Sequence, residues 1–452
     1  MDIRRYLDKS FTLGQCLSWL WTVLIIILLG AHFYRASEYG MVLSLVGVLA
    51  LRCSSAAWAR WTVGMFLLWG MLEWSASACS LAQVRMAMGA PWMRGAAILS
   101  AVAVVTGLTG IMEVRQASRL TRAQGAEDAF LRAAVFMAVF LSLFYIRKFV
   151  PLEMLLLERF FPGLGTAEIF LTAWYGSFAA GLLADRRKAR KVRTRLWLFF
   201  ACLFFMQFAL GLLGVGQMLL TGRLHVPIPA FILYGGVYRD SLNAMPFIVL
   251  ISTLLLGSAW CSMLCYFGPF DALAAKSKTL RPLPRLLQGA LCWGRPAVFA
   301  LGVCAAFILK HIGVSTGTAV SLACAYAFLS LLAMAALSRR YGGMMHCTAF
   351  CPMGLIVSWL GRLSPWRLRV DSSSCDDCGA CESVCRWRAI TPESRSKGKV
   401  LPRCTLCRDC IGVCRKNAIS LRCAGLAPEI AERIFIGILA SLHAIFLACA
   451  MV

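Results

Sequence analysis

The sequence has few charged residues and few histidines. Asp, Glu, Lys and Arg make up 15% of its 452 residues, whereas hydrophobic residues make up 60%. A chain of this length with so much apolar side chain is not expected to be soluble, and the composition indicates a membrane protein with several spans. The sequence also contains no motif for nucleotide binding or flavin attachment.

Acidic residues are the scarcer of the two charge signs. The chain has 21 Asp and Glu against 46 Lys and Arg, which gives a net charge of +25. Such a charge can indicate nucleic-acid binding, but here the basic residues cluster in short segments between apolar runs, as the positive-inside rule predicts. We therefore expect membrane lipid, and no nucleic acid, as a partner of this chain.

Eleven apolar runs are long enough to cross a bilayer. They lie at about 13–31, 41–58, 62–82, 95–113, 128–146, 164–184, 196–220, 244–262, 293–312, 317–337 and 434–452. The basic residues alternate between the loops so that the N-terminus and the segment after Arg340 face the cytoplasm. The pattern predicts an all-α polytopic bundle of about 11 transmembrane helices in a bacterial inner membrane.

The hydrophilic segment after the tenth run contains two copies of a C-x2-C-x2-C-x3-C motif. The cysteines are Cys375, Cys378, Cys381 and Cys385 in the first copy, and Cys404, Cys407, Cys410 and Cys414 in the second. In such two-cluster motifs the fourth Cys of each run ligates the other cluster. The motif therefore predicts one [4Fe–4S] cluster on Cys375, Cys378, Cys381 and Cys414, and a second on Cys404, Cys407, Cys410 and Cys385.

Zinc and disulfides are the alternative uses of these eight cysteines. A zinc site takes two well-separated pairs of ligands, whereas this motif has two compact runs of four. Disulfides are not expected on the cytoplasmic side of a membrane. Arg386 and Arg415 follow the fourth Cys of each run, and their positive charge is expected to raise the cluster potentials.

A second repeat lies at the ends of two apolar runs. Cys261 and Cys265 form a C-x3-C pair, and Cys347 and Cys351 form another 86 residues later, each followed by a Gly at the same offset. Residues four apart share a helix face, so each pair presents two thiols side by side. Four thiols brought together predict either a third cluster or metal site, or two redox-active dithiols; packing cysteines are the plainer alternative.

Histidine and a carboxylate provide the remaining candidate residues. The five histidines are His32, His225, His311, His346 and His443. His225 and His311 fall near the outer ends of spans, where they predict a quinol site better than a haem pair, and haem is not expected. Glu73 lies near the middle of the third run, where a carboxylate is costly. It is expected either to serve a proton path or to be protonated and hydrogen-bonded to a neighbouring span.

These motifs together resemble a superfamily of polytopic membrane 4Fe–4S proteins. It includes the quinol-dehydrogenase membrane subunit of periplasmic nitrate reduction, the membrane regulator of nitrous oxide reductase and the iron–sulfur proteins of oxidase assembly. The resemblance covers about 196–422 and predicts a small α+β ferredoxin-like domain. Domains are expected at 1–190 (a transmembrane module of unknown role), 191–365 (the C-x3-C module), 366–423 (the two-cluster domain) and 430–452 (a final helix).

The expected function is electron transfer between the quinone pool and cytoplasmic clusters, serving a respiratory reductase or another redox protein. If the chain is an enzyme, it is expected to be an oxidoreductase of quinol-dehydrogenase type. One alternative is a maturation or regulatory protein, in which the C-x3-C pairs reduce a metal ion or a disulfide. A further alternative is a membrane anchor for redox subunits.

Overall fold

The chain is described by a computed structural model that covers residues 13–219, 228–241, 244–276 and 279–449. Its elements are almost all helices, which confirms the predicted all-α polytopic architecture. The chain divides into two compact units, Met1–Gly181 and Leu182–Val452.

Seven helices belong to the first part of the chain. They are α1 Leu13–Arg35, α2 Tyr39–Cys53, α3 Ala57–Ala87, α4 Met93–Gln124, α5 Ala129–Phe149, α6 Leu156–Phe160 and α7 Gly165–Ala184. Helices α3 and α4 pack closely because glycines face each other: a Cβ on Gly110 would lie 3.0 Å from the carbonyl oxygen of Gly64. Small residues at such crossings are typical of membrane helices.

The second unit contains longer helices interrupted by short ones. The helices are α8 Arg186–Leu212, α9 Phe231–Arg239, α10 Ala244–Leu256, α11 Trp260–Met263, α12 Gly268–Ala275, α13 Arg285–His311, α14 Thr316–Ala333, α15 Arg339–Tyr341, α16 Pro352–Leu360, α17 Ala380–Val384, α18 Pro392–Ser396 and α19 Pro428–Ala448. Single turns of 3-10 helix occur at Gly216–Met218, Gly257–Ala259 and Ile411–Val413, and π-helical turns occur at Met334–Ser338 and His346–Phe350.

Ten helices in the described part of the chain are long and apolar enough to cross a membrane. They are Cys16–Arg35, Ala57–Ala87, Met93–Gln124, Ala129–Phe149, Gly165–Ala184, Arg186–Leu212, Ala244–Met263, Arg285–His311, Thr316–Tyr341 and Pro428–Ala448. The predicted run 41–58 is instead α2, a helix of 15 residues, or about 22 Å at 1.5 Å per residue. It ends early because Ser54 and Ala56 adopt extended backbone, so that residues 57 and 58 begin α3.

A two-stranded sheet closes the segment that carries the eight clustered cysteines. Strand β1, Arg367–Val370, pairs antiparallel with β2, Ile419–Arg422, so that Val370 faces Ile419 and Leu368 faces Leu421. These four apolar side chains are buried. The sheet therefore brings the two ends of residues 371–418 together beside a small apolar core.

Buried ion pairs attach this segment to two membrane helices. Arg408 donates to Glu432 of α19 at 2.6 Å, and Arg186 of α8 donates to the other oxygen of the same carboxylate. Arg193 of α8 makes a two-point ion pair with Asp409, at 2.8 and 3.0 Å. Because both carboxylates are satisfied by charged donors, their burial does not leave an unpaired charge.

Candidate metal centres

The two ferredoxin-type motifs repeat in backbone conformation as well as in sequence. Six residues in the repeat have positive φ, and they occur as three pairs 29 residues apart, namely Asp377 and Leu406, Gly379 and Arg408, and Arg388 and Asn417. Five of these six residues are not glycine, so the left-handed backbone is costly and is held by the surrounding structure. Backbone turns of this kind aim N–H groups into a concavity that suits an anion.

The first predicted set of thiols lines one small cavity. Cys375, Cys378, Cys381 and Cys414 all contribute to its wall, together with Arg395. Arg395 is held in place by Asp377 at 2.8 Å and by Glu382 at 2.7 Å. The cavity therefore joins three cysteines of the first motif with the fourth cysteine of the second motif.

The second predicted set is also brought together. Cys385 interacts electrostatically with each of its three partners, Cys404, Cys407 and Cys410. Its sulfur accepts a hydrogen bond from the amide of Ala389 at 3.3 Å. Burial raises the pKa of the Cys404 thiol to about 12, so binding of a metal to this sulfur must release its proton to solvent or to a base.

The two C-x3-C pairs converge on a third cluster of thiols. Cys265 and Cys351 interact electrostatically with each other. Cys261 and Cys347 each interact with both of them. Burial raises the pKa of Cys265 to about 12, opposed by hydrogen bonds from the amides of Phe267 and Gly268. Cys351 is likewise in a buried site and accepts from the amides two and three residues later, Met353 and Gly354. The repeat thus extends to the hydrogen bonds on sulfur.

Close packing fixes the first C-x3-C pair. The indole nitrogen of Trp197 donates to the carbonyl oxygen of Cys265 at 2.7 Å. A Cβ on Gly268 would lie 2.3 Å from the Trp197 ring, so only glycine fits there. This contact explains why a glycine follows the pair.

The second pair lies in and after a π-helical turn, and a buried aspartate holds it. Asp271 accepts hydrogen bonds from the Cys347 amide at 2.8 Å and from the Ser338 hydroxyl at 2.5 Å. Burial raises the pKa of Asp271 to about 6. Burial, with Arg295 nearby, lowers the pKa of His346 to about 4, so this residue is a neutral neighbour of Cys347 at pH 7. Single π-turns of this kind are frequent at functional sites.

Hydrogen bonds connect the C-x3-C cysteines to the second ferredoxin-type motif. Ser258 donates to the carbonyl oxygen of Cys404 at 2.6 Å, and Ser262 donates to that of Thr405 at 3.1 Å. Arg193 also joins the two regions, because it pairs with Asp409 and donates to the Ser262 carbonyl oxygen at 3.0 Å. The second and third groups of thiols are therefore parts of one packed assembly.

The donor sets fit iron–sulfur clusters. Each set has four sulfurs, and backbone amides donate hydrogen bonds to the sulfurs of Cys385, Cys265 and Cys351. Among the described residues, no three His, Cys, Asp or Glu side chains are grouped closely enough to hold a single metal ion. A bound [4Fe–4S] cluster would supply one-electron chemistry.

The other candidate residues lie elsewhere. His225 is outside the described residues. His311 is exposed at the end of α13, with its ring 4.2 Å from that of Phe307. Glu73 and His32 interact electrostatically and line one cavity of about 560 Å³ in the first unit.

Glu113 and Arg295 are among the buried charged residues whose roles sequence reasoning missed. Glu113 of α4 accepts from Arg52 at 2.8 Å, from Thr22 at 2.8 Å and from Arg60 at 3.2 Å. Arg295 of α13 donates to the Cys347 carbonyl oxygen at 3.0 Å. The position of Glu113 inside an apolar run could have identified it as a candidate residue. Arg295 lies near the end of a span, where the positive-inside rule already accounts for a basic residue.

Comparison with family models supports the iron–sulfur interpretation. A 4Fe-4S binding domain matches residues 242–284 and again 325–371, so that each match contains one C-x3-C pair. A second 4Fe-4S binding domain matches 368–391, which covers the first ferredoxin-type motif. The chain is a polytopic membrane protein with 4Fe–4S domains of ferredoxin type, and the predicted resemblance at this level is confirmed.

Three curated relatives are similar to parts of the chain. Two uncharacterized proteins of Methanocaldococcus jannaschii are each 26% identical to this chain. The match to the first covers 38% of this chain and 68% of the relative. The match to the second covers 43% of this chain and 83% of the relative. "Putative electron transport protein YccM" of Escherichia coli is 30% identical over 23% of this chain and 26% of its own length. No solved structure matches the chain. Iron–sulfur electron transfer is the class of function that the domains support.

Proposed function

We propose that this protein carries electrons between the quinone pool and [4Fe–4S] clusters on the cytoplasmic side of a bacterial inner membrane, for a reductase or another redox protein. The proposed ligands are Cys375, Cys378, Cys381 and Cys414 for one cluster, and Cys385, Cys404, Cys407 and Cys410 for the second. We further propose that Cys261, Cys265, Cys347 and Cys351 hold a third. The match to a protein named for electron transport supports the proposal.

One observation carries the proposal: the segments that hold the three groups of thiols are joined to one another within the second unit. Helix α17 contains Cys381 of the first group, and Cys385 of the second directly follows it. Ser258 then joins the second group to the third through its bond to the Cys404 carbonyl oxygen. Because electron tunnelling falls steeply with distance, groups of ligands held on adjoining segments suit stepwise one-electron transfer.

A cavity in the first unit supports the quinone part of the proposal. Its volume of about 560 Å³ lies within the range of small-molecule sites. Phe33 and Phe144 provide apolar wall, and His32 and Glu73 provide groups that can accept protons from a quinol. Its lining thus suits a quinone head group better than exposed His311 does.

The test begins with anaerobic purification, iron and sulfide analysis and EPR. Three clusters predict about twelve iron atoms per chain and two predict about eight. Replacing Cys410 by Ser is expected to remove about four iron atoms, whereas Cys202→Ser, at an exposed cysteine of α8, should remove none. A Cys410→Ser protein with unchanged iron would contradict the proposed ligand set.

The quinone step is tested by reducing the clusters with a quinol analogue. Glu73→Gln should slow this reduction on the order of 10²-fold, because a proton acceptor is lost. Ser75→Ala is the matched control, since Ser75 is exposed on the same helix and bonds only its own turn at Met71. Clusters that dithionite reduces but quinol does not would favour the membrane-anchor alternative.

A further inference from the structure

Arg295 lies beside the C-x3-C thiols in a buried position, 7% exposed. Its guanidinium donates to the carbonyl oxygen of Cys347 at 3.0 Å, to that of Gly354 at 3.3 Å and to the hydroxyl of Ser358 at 3.2 Å. Glycine at 354 makes room for it, because a Cβ there would lie 3.1 Å from Cζ of Arg295. All the hydrogen-bond acceptors of Arg295 among the described residues are neutral.

The other buried arginines are neutralised differently. Arg52 pairs with Glu113, Arg193 with Asp409, Arg395 with Asp377 and Glu382, and Arg408 with Glu432, with shortest distances of 2.6 to 2.8 Å. Within the described residues Arg295 alone among the five has no carboxylate within ion-pair distance. An uncompensated buried charge costs several kcal/mol, so an anion is expected beside it.

The thiols of the C-x3-C pairs are the groups positioned to supply that negative charge. Cys261 and Cys351 both interact electrostatically with Arg295. Neutral thiols and disulfides carry no charge that could offset a guanidinium. Four metal-bound thiolates do, because their summed charge of −4 exceeds the +2 of an oxidised cubane core and leaves −2.

We propose that Arg295 is the counter-cation of an anionic [4Fe–4S] centre on Cys261, Cys265, Cys347 and Cys351, and that these cysteines therefore do not cycle between dithiol and disulfide. The inference rests on the proposed function and adds a positioning residue to it. When the centre gains one electron its charge becomes −3, and the fixed positive charge of Arg295 favours that reduced form. Arg295 is thus expected to raise the reduction potential of this centre more than that of the other two.

The test is an anaerobic redox titration followed by EPR, on the full chain and three variants. Arg295→Gln is expected to lower the midpoint potential of one centre by more than those of the other two. Arg295→Lys keeps the positive charge, so its midpoint potential should lie close to that of the wild type. Cys304→Ser, at an exposed cysteine of the same helix, should change no potential.

Iron analysis separates the failure of this inference from failure of the proposed function. About eight iron atoms in the wild-type chain, with no loss in Cys261→Ser, would overturn the third centre but leave the ferredoxin-type clusters intact. Equal shifts of all three potentials in Arg295→Gln would overturn the specific role of Arg295. If Arg295→Gln loses about four iron atoms instead, retention of the two other EPR signals shows that the fold survives and supports the counter-cation role.

Discussion

Ser262 donates its hydroxyl hydrogen to the carbonyl oxygen of Thr405 across 3.1 Å, and the carbonyl oxygen of Ala259 is a second acceptor at the same distance. Each residue directly follows a candidate ligand, since Ser262 follows Cys261 and Thr405 follows Cys404. Both residues are buried. One hydrogen bond therefore fixes the position of a membrane-helix thiol relative to a thiol of the ferredoxin-type segment.

Replacing Ser262 by Ala is expected to lower the free energy of unfolding by about 1–3 kcal/mol, because it leaves a buried carbonyl without this donor. Thermal unfolding in detergent measures the loss. Ser321→Ala is the matched control, since the exposed Ser321 hydroxyl bonds only the preceding turn at Gly317. Equal melting temperatures for the two variants would contradict a structural role for the Ser262 bond.

The buried Arg193–Asp409 ion pair is expected to be costly to break from one side. Arg193→Met or Asp409→Leu alone should destabilise the protein by about 3–5 kcal/mol, because each leaves one unpaired buried charge. The double variant should recover much of the loss. Lys188→Gln, which removes an exposed ion pair with Asp185, should change stability little, because exposed ion pairs contribute little. Additive losses in the double variant would refute this coupling.

Two glycines should respond oppositely to alanine. Gly379 has φ of +71° in the first ferredoxin-type loop, so Gly379→Ala is expected to cost about 1–2 kcal/mol of stability. Gly289 lies exposed in α13 with open space around it, so Gly289→Ala should stabilise by up to about 1 kcal/mol. Melting temperatures that move in the same direction would contradict this prediction.

Glu158 is expected to make the first unit sensitive to acid. Burial alone would raise the pKa of Glu158, but hydrogen bonds from Arg147 and the amides of Gly163 and Gly165 outweigh it and lower this pKa below 4.5. A carboxylate with a lowered folded-state pKa stabilises the fold above its unfolded pKa, and this stability is lost as pH falls through the folded value.

Unfolding temperatures measured from pH 7 to pH 3 test that prediction. Glu158→Gln should lower stability at pH 7 by about 1.5–3 kcal/mol, the range for hydrogen bonds to charged groups, and should converge on wild type at the acid end. Glu153→Gln, at an exposed neighbour, should follow the wild-type curve throughout. A constant gap between Glu158→Gln and wild type would rule out the ionised carboxylate as the cause.

The local patterns of the chain were predictable, and the contacts between distant segments were not. The grouping of Cys414 with the first motif follows from a spacing rule and reappears in the cavity. The bonds of Ser258 and Ser262 join residues more than 140 positions apart, and no periodicity encodes them. The role of Arg295 was not predictable from the sequence, because it depends on hydrogen bonds to residues between 347 and 358.

The length of α2 was mispredicted for a different reason. Ser54, Ser55 and Ala56 are too weakly polar to interrupt a hydropathy run, so residues 41–58 read as one span. The break comes from backbone conformation, with ψ of 140° at Ser54 and 133° at Ala56. Composition could not reveal a turn built from such residues.

Glu432 has a consequence for the order in which the protein is made. Arg408 is synthesised before α19, yet the carboxylate that neutralises it belongs to α19. Because a chain is synthesised from its N-terminus, the ion pair of Arg408 can form only after Glu432 has been made, whereas the pair of Arg193 with Asp409 needs no residue beyond Asp409.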